Sequence, residues 1–199
     1  IPVPGIHQVY NALAAICAAE LLKVDRSLMI ESCQRVELPK MRMEMKEEKG
    51  ITVINDAYNA NPQSMKAALE VLKTLKVKGR RFFVCADMME LGDSAQTQHR
   101  HLGEIIPDYG VYCLVTFGEN AELTSLACKS KGSAIVKHVY HATGKELISA
   151  YLLEMLQPGD AVLVKGSRAM CMDEVADALL RRLKNMQDHQ TADDYTNVS

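Results

Sequence analysis

No apolar run in this chain is long enough to cross a bilayer. The longest, Ala12 to Leu22, is interrupted by Glu20 and falls well short of the roughly 20 residues a spanning helix needs. An excess of one charge is also missing. The 23 basic and 25 acidic residues leave a formal net charge of -2, which argues against a general nucleic-acid binder or a membrane-surface protein. No Cys-x-x-Cys pair occurs, so zinc-site and thioredoxin-like spacings are excluded. Neither G-x-x-x-x-G-K-[ST] nor G-x-G-x-x-G is present. Any phosphate grip therefore comes from elsewhere, or the chain performs no nucleotide chemistry alone. No initiator Met and no signal-peptide pattern precede the first element. Ile1-Pro2-Val3-Pro4-Gly5 runs directly into a helical pattern, which gives the expectation of a chain cut from something longer.

What is present describes a globular α/β protein. The 199 residues, 48% of them hydrophobic, suit one domain or one domain plus a piece of a neighbour. Wholesale disorder is excluded, because that requires a polar, highly charged composition. Of the six cysteines, Cys17, Cys85 and Cys113 lie inside apolar runs, where a free thiol behaves as a small hydrophobe. All six are expected to be free, in a reducing, cytoplasmic compartment. The eleven methionines are scattered and read as core filler.

Strands alternate with helices along the chain. The spacing predicts helices over residues 7–22, after Asp25 to about Gln34, from Pro62, from Asp93 or Ser94 to a break at Pro107, over 120–129, 144–156 and 169–183. Pro62 sits at a first helical position, with Met65, Ala68, Leu69 and Leu72 on one face. Strands are predicted over 42–47, 51–54, 81–85, 111–117, 135–140 and 161–164. Continuous apolar strands between helices imply a Rossmann-like, mostly parallel sheet with helices on both faces. Pro39 is the best boundary. It separates residues 1–38, two helices that bury too little surface to form a domain alone, from a domain over 39–185 and a polar tail over 186–199.

In such a sheet, ligands meet the carboxyl ends of the strands. Three polar segments follow apolar strands: Asn55 to Pro62, Ala86 to Gly92, and Lys165 to Arg168. Lys165, Arg168 and the amides of the following helix start are suited to an anion. The carboxylates are suited to a ribose, an amine or a metal. Exposure alone also makes strand-end loops polar.

Four segments carry a resemblance. Asp56-Ala57-Tyr58-Asn59-Ala60-Asn61-Pro62-Gln63-Ser64-Met65 closely resembles the opening of the C-terminal domain of the Mur ligase family, most of all the branch that adds D-alanyl-D-alanine. Asp87-Met88-Met89-Glu90-Leu91-Gly92 resembles that family's G-D-M-x-E-L-G, and Val164-Lys165-Gly166-Ser167-Arg168-Ala169-Met170 its V-K-G-S-R-G-M. Gly5 to Ala15 resembles the family's G-x-H-N-x-x-N-A-L-A-A, near the end of its central ATPase domain. Gln8 stands in place of an asparagine, and Ala86 and Ala169 in place of glycines. Those two loops are therefore expected to lose backbone freedom.

The resemblance implies the C-terminal portion of an ATP-dependent amide ligase of peptidoglycan precursor synthesis. Its partners would be UDP-N-acetylmuramoyl-tripeptide, D-alanyl-D-alanine and the missing N-terminal and central ligase domains. ATP and Mg are implied cofactors, held mainly by the central domain, so the isolated chain is expected to be inactive. The nucleotide would meet His7, Asn11, Arg42 and Asp56, with Asn11 at adenine and Asp56 at the ribose. Tyr58, Asn59, Asn61, Lys165, Ser167 and Arg168 would line the substrate side. No metal ligand and no catalytic residue is assigned. Each residue keeps a plain structural alternative: Asp56 as a cap for the Pro62 helix, Tyr58 as a packing ring with a wet hydroxyl, Asp87 and Glu90 as loop braces, and His99 and His101 as members of an exposed helix face. A non-catalytic Rossmann-like module that binds a nucleotide or a partner is the alternative function. Exposed apolar surface on the first helix would favour the ligase portion.

Overall fold

A computed structural model describes residues 1–132 and 134–186. Helices α1 (Ile6–Leu21) and α2 (Arg26–Gln34) lead into strand β1 (Glu44–Glu48). Strand β2 (Ile51–Asp56), helix α3 (Pro62–Thr74), strand β3 (Arg81–Ala86), helix α4 (Ala95–Ile105) and strand β4 (Cys113–Phe117) follow. Helix α5 (Ala121–Gly132), strand β5 (His138–Ala142), helix α6 (Lys145–Leu153), strand β6 (Ala161–Lys165) and helix α7 (Asp173–Asn185) complete the order.

The six strands form one sheet in the order β1-β2-β6-β3-β4-β5, parallel except for β1. One register row runs Ile54, Leu163, Phe83, Leu114, Val139. Alternation along each strand sends neighbouring side chains to opposite faces. Ile54, Leu163, Phe83 and Leu114 pack in one core with Met65, Leu69 and Leu72 of α3, Leu102 of α4 and Cys128 of α5. Val53, Val162, Phe82 and Val115 pack in the other with Ile148 and Leu152 of α6 and Val175 and Leu179 of α7. Because both faces are covered, the strands read as unbroken apolar runs.

Local chemistry sets the element ends. Asp25 caps α2 by accepting from the Ser27 amide at 2.8 Å. Asn61 caps α3 in a reciprocal box with Ser64, and Pro62 fills the first turn. At the amino ends of the strands, Asp160 accepts from the Arg80 guanidinium at 2.6 Å and from the Arg80 and Gln157 amides at 2.7 and 2.9 Å. That guanidinium lies over Phe82 and Tyr112.

Several boundaries differ from the sequence expectation. The first strand starts at Glu44 rather than Arg42, because Met41 and Met43 take left-handed backbone. The last helix begins at Asp173, not Ala169. A 3-10 turn over Arg168–Met170 and left-handed Cys171 intervene. The edge strand lies over His138–Ala142, displaced from 135–140, and the helix expected to run to Leu156 ends at Leu153. Ala86 and Ala169 are absent from the positive-φ residues, so neither loop needs glycine there. Cys17 is exposed, contrary to its apolar surroundings in sequence, whereas Cys85, Cys113 and Cys128 are buried. Of the polar tail, residues 187–199 lie outside the described residues. No described helix is long and apolar enough to cross a membrane.

Helix α1 stands apart from both cores. None of its residues is buried, and Met29 is the buried residue of α2. Tyr10, Leu13, Leu21 and Leu22 are between half and mostly exposed. The residue before α1 nonetheless comes close to α3, where a Cβ added at Gly5 would lie 3.2 Å from the Val71 side chain.

Candidate functional site

Strands β2, β6 and β3 are neighbours, so their carboxyl ends bring together the three segments singled out by sequence. Asp56 and Lys165 are register partners at the last rung of the β2–β6 ladder. The Lys165 ammonium donates to Asp56 Oδ2 at 2.6 Å and to the Asn59 carbonyl at 2.9 Å, with a longer contact to the Asp56 carbonyl. Asp56 Oδ1 accepts from the Met43 amide at 3.1 Å. The Lys165 side chain is 3% exposed. Its donors are therefore spent inside the fold, whereas Arg42 and Arg168 are exposed.

A cleft of about 390 Å³ opens above this pair. One wall is α1, with His7, Gln8 and Asn11; Asn11 Nδ2 donates to Gln8 Oε1 at 3.1 Å. The opposite wall is Arg42, Asp56, Tyr58 and Asn59, with Lys165 at the floor. The Arg42 guanidinium stacks on the Tyr58 ring at 4.1 Å, a cation–π contact. The Tyr58 amide donates to the Met41 carbonyl at 3.0 Å, which ties the segment entering β1 to the loop after β2. Glu44 accepts from the Met41 amide and pairs with Lys46 at 2.9 Å. The Lys46 hydrogen bond holds the Glu44 carboxyl below its usual range, with burial opposing and the Met41 amide helping.

Every residue expected at the nucleotide, namely His7, Asn11, Arg42 and Asp56, lines this cleft. So do Tyr58, Asn59, Asn61 and Lys165 from the expected substrate side. Asp56 does not cap α3, since Asn61 does. Met43, Gln63, Ser64 and Ala67 complete the lining. The last three were missed because they belong to a helix; the signal was Ser64 three residues after Asn61.

A second cleft of about 300 Å³ shares Tyr58 and Asn59 with the first. Its remaining walls are Met89 and Glu90 after β3, and Ser167, Arg168 and Ala169 after β6. Ser167 is buried and clamps these loops together. Its Oγ accepts from the Met89 amide at 2.8 Å and donates to the Ala60 carbonyl at 3.3 Å, and its amide donates to the Asp87 carbonyl at 3.1 Å. Gly166 must be glycine here, because an added Cβ would lie 2.8 Å from Met172 and 3.0 Å from the Ala86 methyl.

Asp87 braces its loop, as one reading of the sequence had it. Its Oδ1 accepts from the Ala121 amide at 2.7 Å, and Gly118, at φ +111°, leaves room that a Cβ would fill 2.6 Å from the carboxylate. His99 corrects the exposed-helix expectation. It is fully buried; Nε2 accepts from the Met88 amide at 3.0 Å and Nδ1 donates to the Ala95 carbonyl at 2.7 Å. A histidine flanked by Gln98 and Arg100 carries no apolar signal, and its role appears only when β3 and α4 are packed. His101 is exposed, as expected.

The family profile described as Mur ligase, glutamate ligase domain, matches residues 41–168. This chain belongs to the Mur ligase family. The UDP-N-acetylmuramoyl-tripeptide–D-alanyl-D-alanine ligase of Bacillus subtilis is 34% identical over 90% of this Mur ligase chain and 39% of its own length. The ligase of that name from Mycobacterium tuberculosis is 33% identical over 88% of the chain and 38% of its own length. Among solved structures, the MurF ligase of Thermotoga maritima, in complex with ADP, superposes with a TM-score of 0.74 at 26% identity, over 90% of this chain and 39% of that one. MurF of Acinetobacter baumannii superposes with a TM-score of 0.78 at 28% identity, over 91% and 39%. The Mur ligase chain thus spans about two fifths of the length of the relatives it matches.

Proposed function

We propose that this chain is the C-terminal portion of an ATP-dependent ligase that joins D-alanyl-D-alanine to UDP-N-acetylmuramoyl-tripeptide in peptidoglycan precursor synthesis, with the nucleotide in the first cleft. The observation that carries the reading is the lining of that cleft. An amide pair on α1, Gln8 and Asn11, faces a carboxylate, a guanidinium and an aromatic ring at the sheet edge. Amides read a base edge by donating and accepting at once. A carboxylate suits ribose hydroxyls, and a guanidinium suits phosphate. The residues present therefore fit the nucleoside end of ATP.

When bound, ATP activates the tripeptide carboxylate so that an amine can displace phosphate. In this reading Asn11 and Gln8 orient the base, and Asp56, fixed by Lys165, meets the ribose. Arg42, fixed on Tyr58, neutralises phosphate charge, and Tyr58 and Asn59 divide the nucleotide cleft from the amine side. Mg and the remaining triphosphate contacts fall to the part of the relatives that this chain does not span. We place a domain boundary at Pro39, with residues 1–38 belonging to the central domain. The exposed apolar side chains of α1, among them Leu13 and Leu21, favour this over a self-sufficient binding module. Six unpaired thiols suit a cytoplasmic setting.

The test is an amide-ligation assay on the longer gene product, with ATP, Mg, UDP-N-acetylmuramoyl-tripeptide and D-alanyl-D-alanine. Activity in the longer product, none in this chain, and a raised KM for ATP in Asn11→Ala and Arg42→Ala support the reading. An inactive longer product, with this chain still binding nucleotide, replaces it with the non-catalytic module.

A further inference from the structure

The loop after β3 is held from three sides. Asp87 turns its carboxylate to the start of α5, where the Ala121 amide donates to it at 2.7 Å. The Met89 amide donates to Ser167 Oγ at 2.8 Å. Between these two, the Met88 amide donates to Nε2 of His99 on α4 at 3.0 Å. Met89 and Glu90 leave this anchorage as an exposed wall of the second cleft. Of the three acceptors, the imidazole nitrogen has a single lone pair, so one proton turns it into a donor. A carboxylate or a hydroxyl keeps acceptor capacity.

The two bonds of the ring fix its state. The Ala95 carbonyl only accepts, so Nδ1, 2.7 Å away, carries the proton. The Met88 amide only donates, so Nε2 carries none. The ring is thus neutral in this arrangement, and it is fully buried. An apolar side chain would fill the same space but orphan the Met88 amide, so packing alone does not account for a histidine here. Asp87 Oδ1 lies 3.9 Å from Nε2. That is too far for a hydrogen bond, yet near enough to receive a ring that gains a second proton. Every other Asp, Glu, Lys and Arg of α3, α4 and α5 is exposed, as are Glu90, Asp93 and Asp108 in the adjoining turns. Burial pushes up the Cys85 and Cys128 thiols and the Tyr109 phenol, so these stay uncharged at neutral pH. Asp87 is therefore the charge that faces the ring.

We propose that His99 is a proton-sensitive positioning residue for the ligation. Neutral, it holds the Met88 amide and so fixes the wall of Met89 and Glu90. With a solvent proton on Nε2, it exchanges that amide for the Asp87 carboxylate and releases the wall; only hydrogen bonds form and break. On the function proposed above, on which the kinetic part of this inference rests, the wall borders the incoming amine. His99 then acts on the use of the amine and not on the nucleotide.

The experiment compares the wild type, His99→Gln and His99→Leu in two arms. Glutamine offers a carbonyl acceptor in place of Nε2 and takes up no proton, whereas leucine offers no acceptor. In the first arm, NMR follows the isotopically labelled chain between about pH 8 and pH 5, where histidines titrate. In the wild type the ring should start as the Nδ1–H tautomer, and the Met88 and Met89 amide signals should move together with the His99 ring nitrogens. In His99→Gln the same amides should stay flat. In His99→Leu the Met88 amide should exchange with solvent about tenfold faster at every pH. In the second arm, the longer product is assayed at neutral pH. His99→Leu should raise the KM for D-alanyl-D-alanine about tenfold with the KM for ATP unmoved, and His99→Gln should restore it. Amides that titrate equally in wild type and His99→Gln, amides that do not titrate at all, a ring protonated at Nε2 at the start, or equal rises in both KM values would overturn the proposal. If His99→Leu fails to fold, the comparison of wild type with His99→Gln still decides. Failure of the ligase reading looks different: the wild-type longer product forms no amide, while the first arm judges the loop on this chain alone.

Discussion

Lys165 and Asp56 face each other across the final rung of two parallel strands, 2.6 Å apart, and the same ammonium reaches the Asn59 carbonyl. One buried cation thus fixes both the carboxylate and the backbone of the loop that forms the ridge between the clefts. Removing one member of such a pair leaves the other charged and unpaired, at a cost of about 3–5 kcal/mol. Lys165→Met should lose that much stability in urea unfolding. The double variant Asp56→Asn/Lys165→Met should lose less than the two single changes added together. Strict additivity would show that the two side chains do not depend on each other.

At the opposite end of the sheet, Asp160 contributes to the acid sensitivity of the fold. Burial alone would raise its pKa. The Arg80 side-chain hydrogen bond and the Arg80 and Gln157 amides outweigh burial and hold it below the usual carboxylate value. A depressed folded-state pKa gives stability that is present above the unfolded value, about 3.9, and is lost as the pH falls through the folded one. Melting temperatures measured from pH 7 to pH 2 should fall below about pH 4 in the wild type. Asp160→Asn should melt lower at neutral pH and show a shallower acid decline.

Asn61 lines the first cleft and also caps α3. Asn61→Ala should cost about 1 kcal/mol by losing the cap. Asn61→Asp keeps the capping oxygen and should recover most of that stability. A ligand effect that persists in Asn61→Asp would then report on the cleft rather than on the helix.

Thiol reactivity should split the cysteines into two groups. Burial pushes the Cys85 thiol far up, Cys113 up to about 12 and Cys128 up to about 11. The thiolate is the reactive form. At pH 8, a disulfide reagent should label exposed Cys17 quickly, and Cys33 and Cys171 at intermediate rates. It should reach the other three only after unfolding. Fast labelling of Cys85 would contradict its place in the core.

The strands and the α3 start were legible in sequence because their signals are local: apolar runs, and Asn-Pro followed by an apolar stripe. Convergence of the three strand-end loops followed from the parallel topology alone. What stayed hidden depends on tertiary contact. The sequence does not reveal that Lys165 is consumed by Asp56, that His99 is a buried acceptor for the Met88 amide, or that Met41, Met43 and Cys171 take left-handed backbone. No residue type marks such positions. Cys17 shows the reverse error: an apolar stretch points to burial, yet α1 has nothing against its outer face within the described residues.

Strand β6 is the last strand made and sits third in the sheet, between β2 and β3. A ribosome therefore emits both flanking strands long before the one that joins them. Until Lys165 emerges, β2 and β3 have no common neighbour, the first cleft lacks its floor and the second lacks one of its walls. The growing chain must wait with an open seam of apolar strand edges, where a foreign strand or a premature β2–β3 pairing can intrude. Truncation before Ala161 should remove the joining strand and, with it, lining residues of both clefts at once.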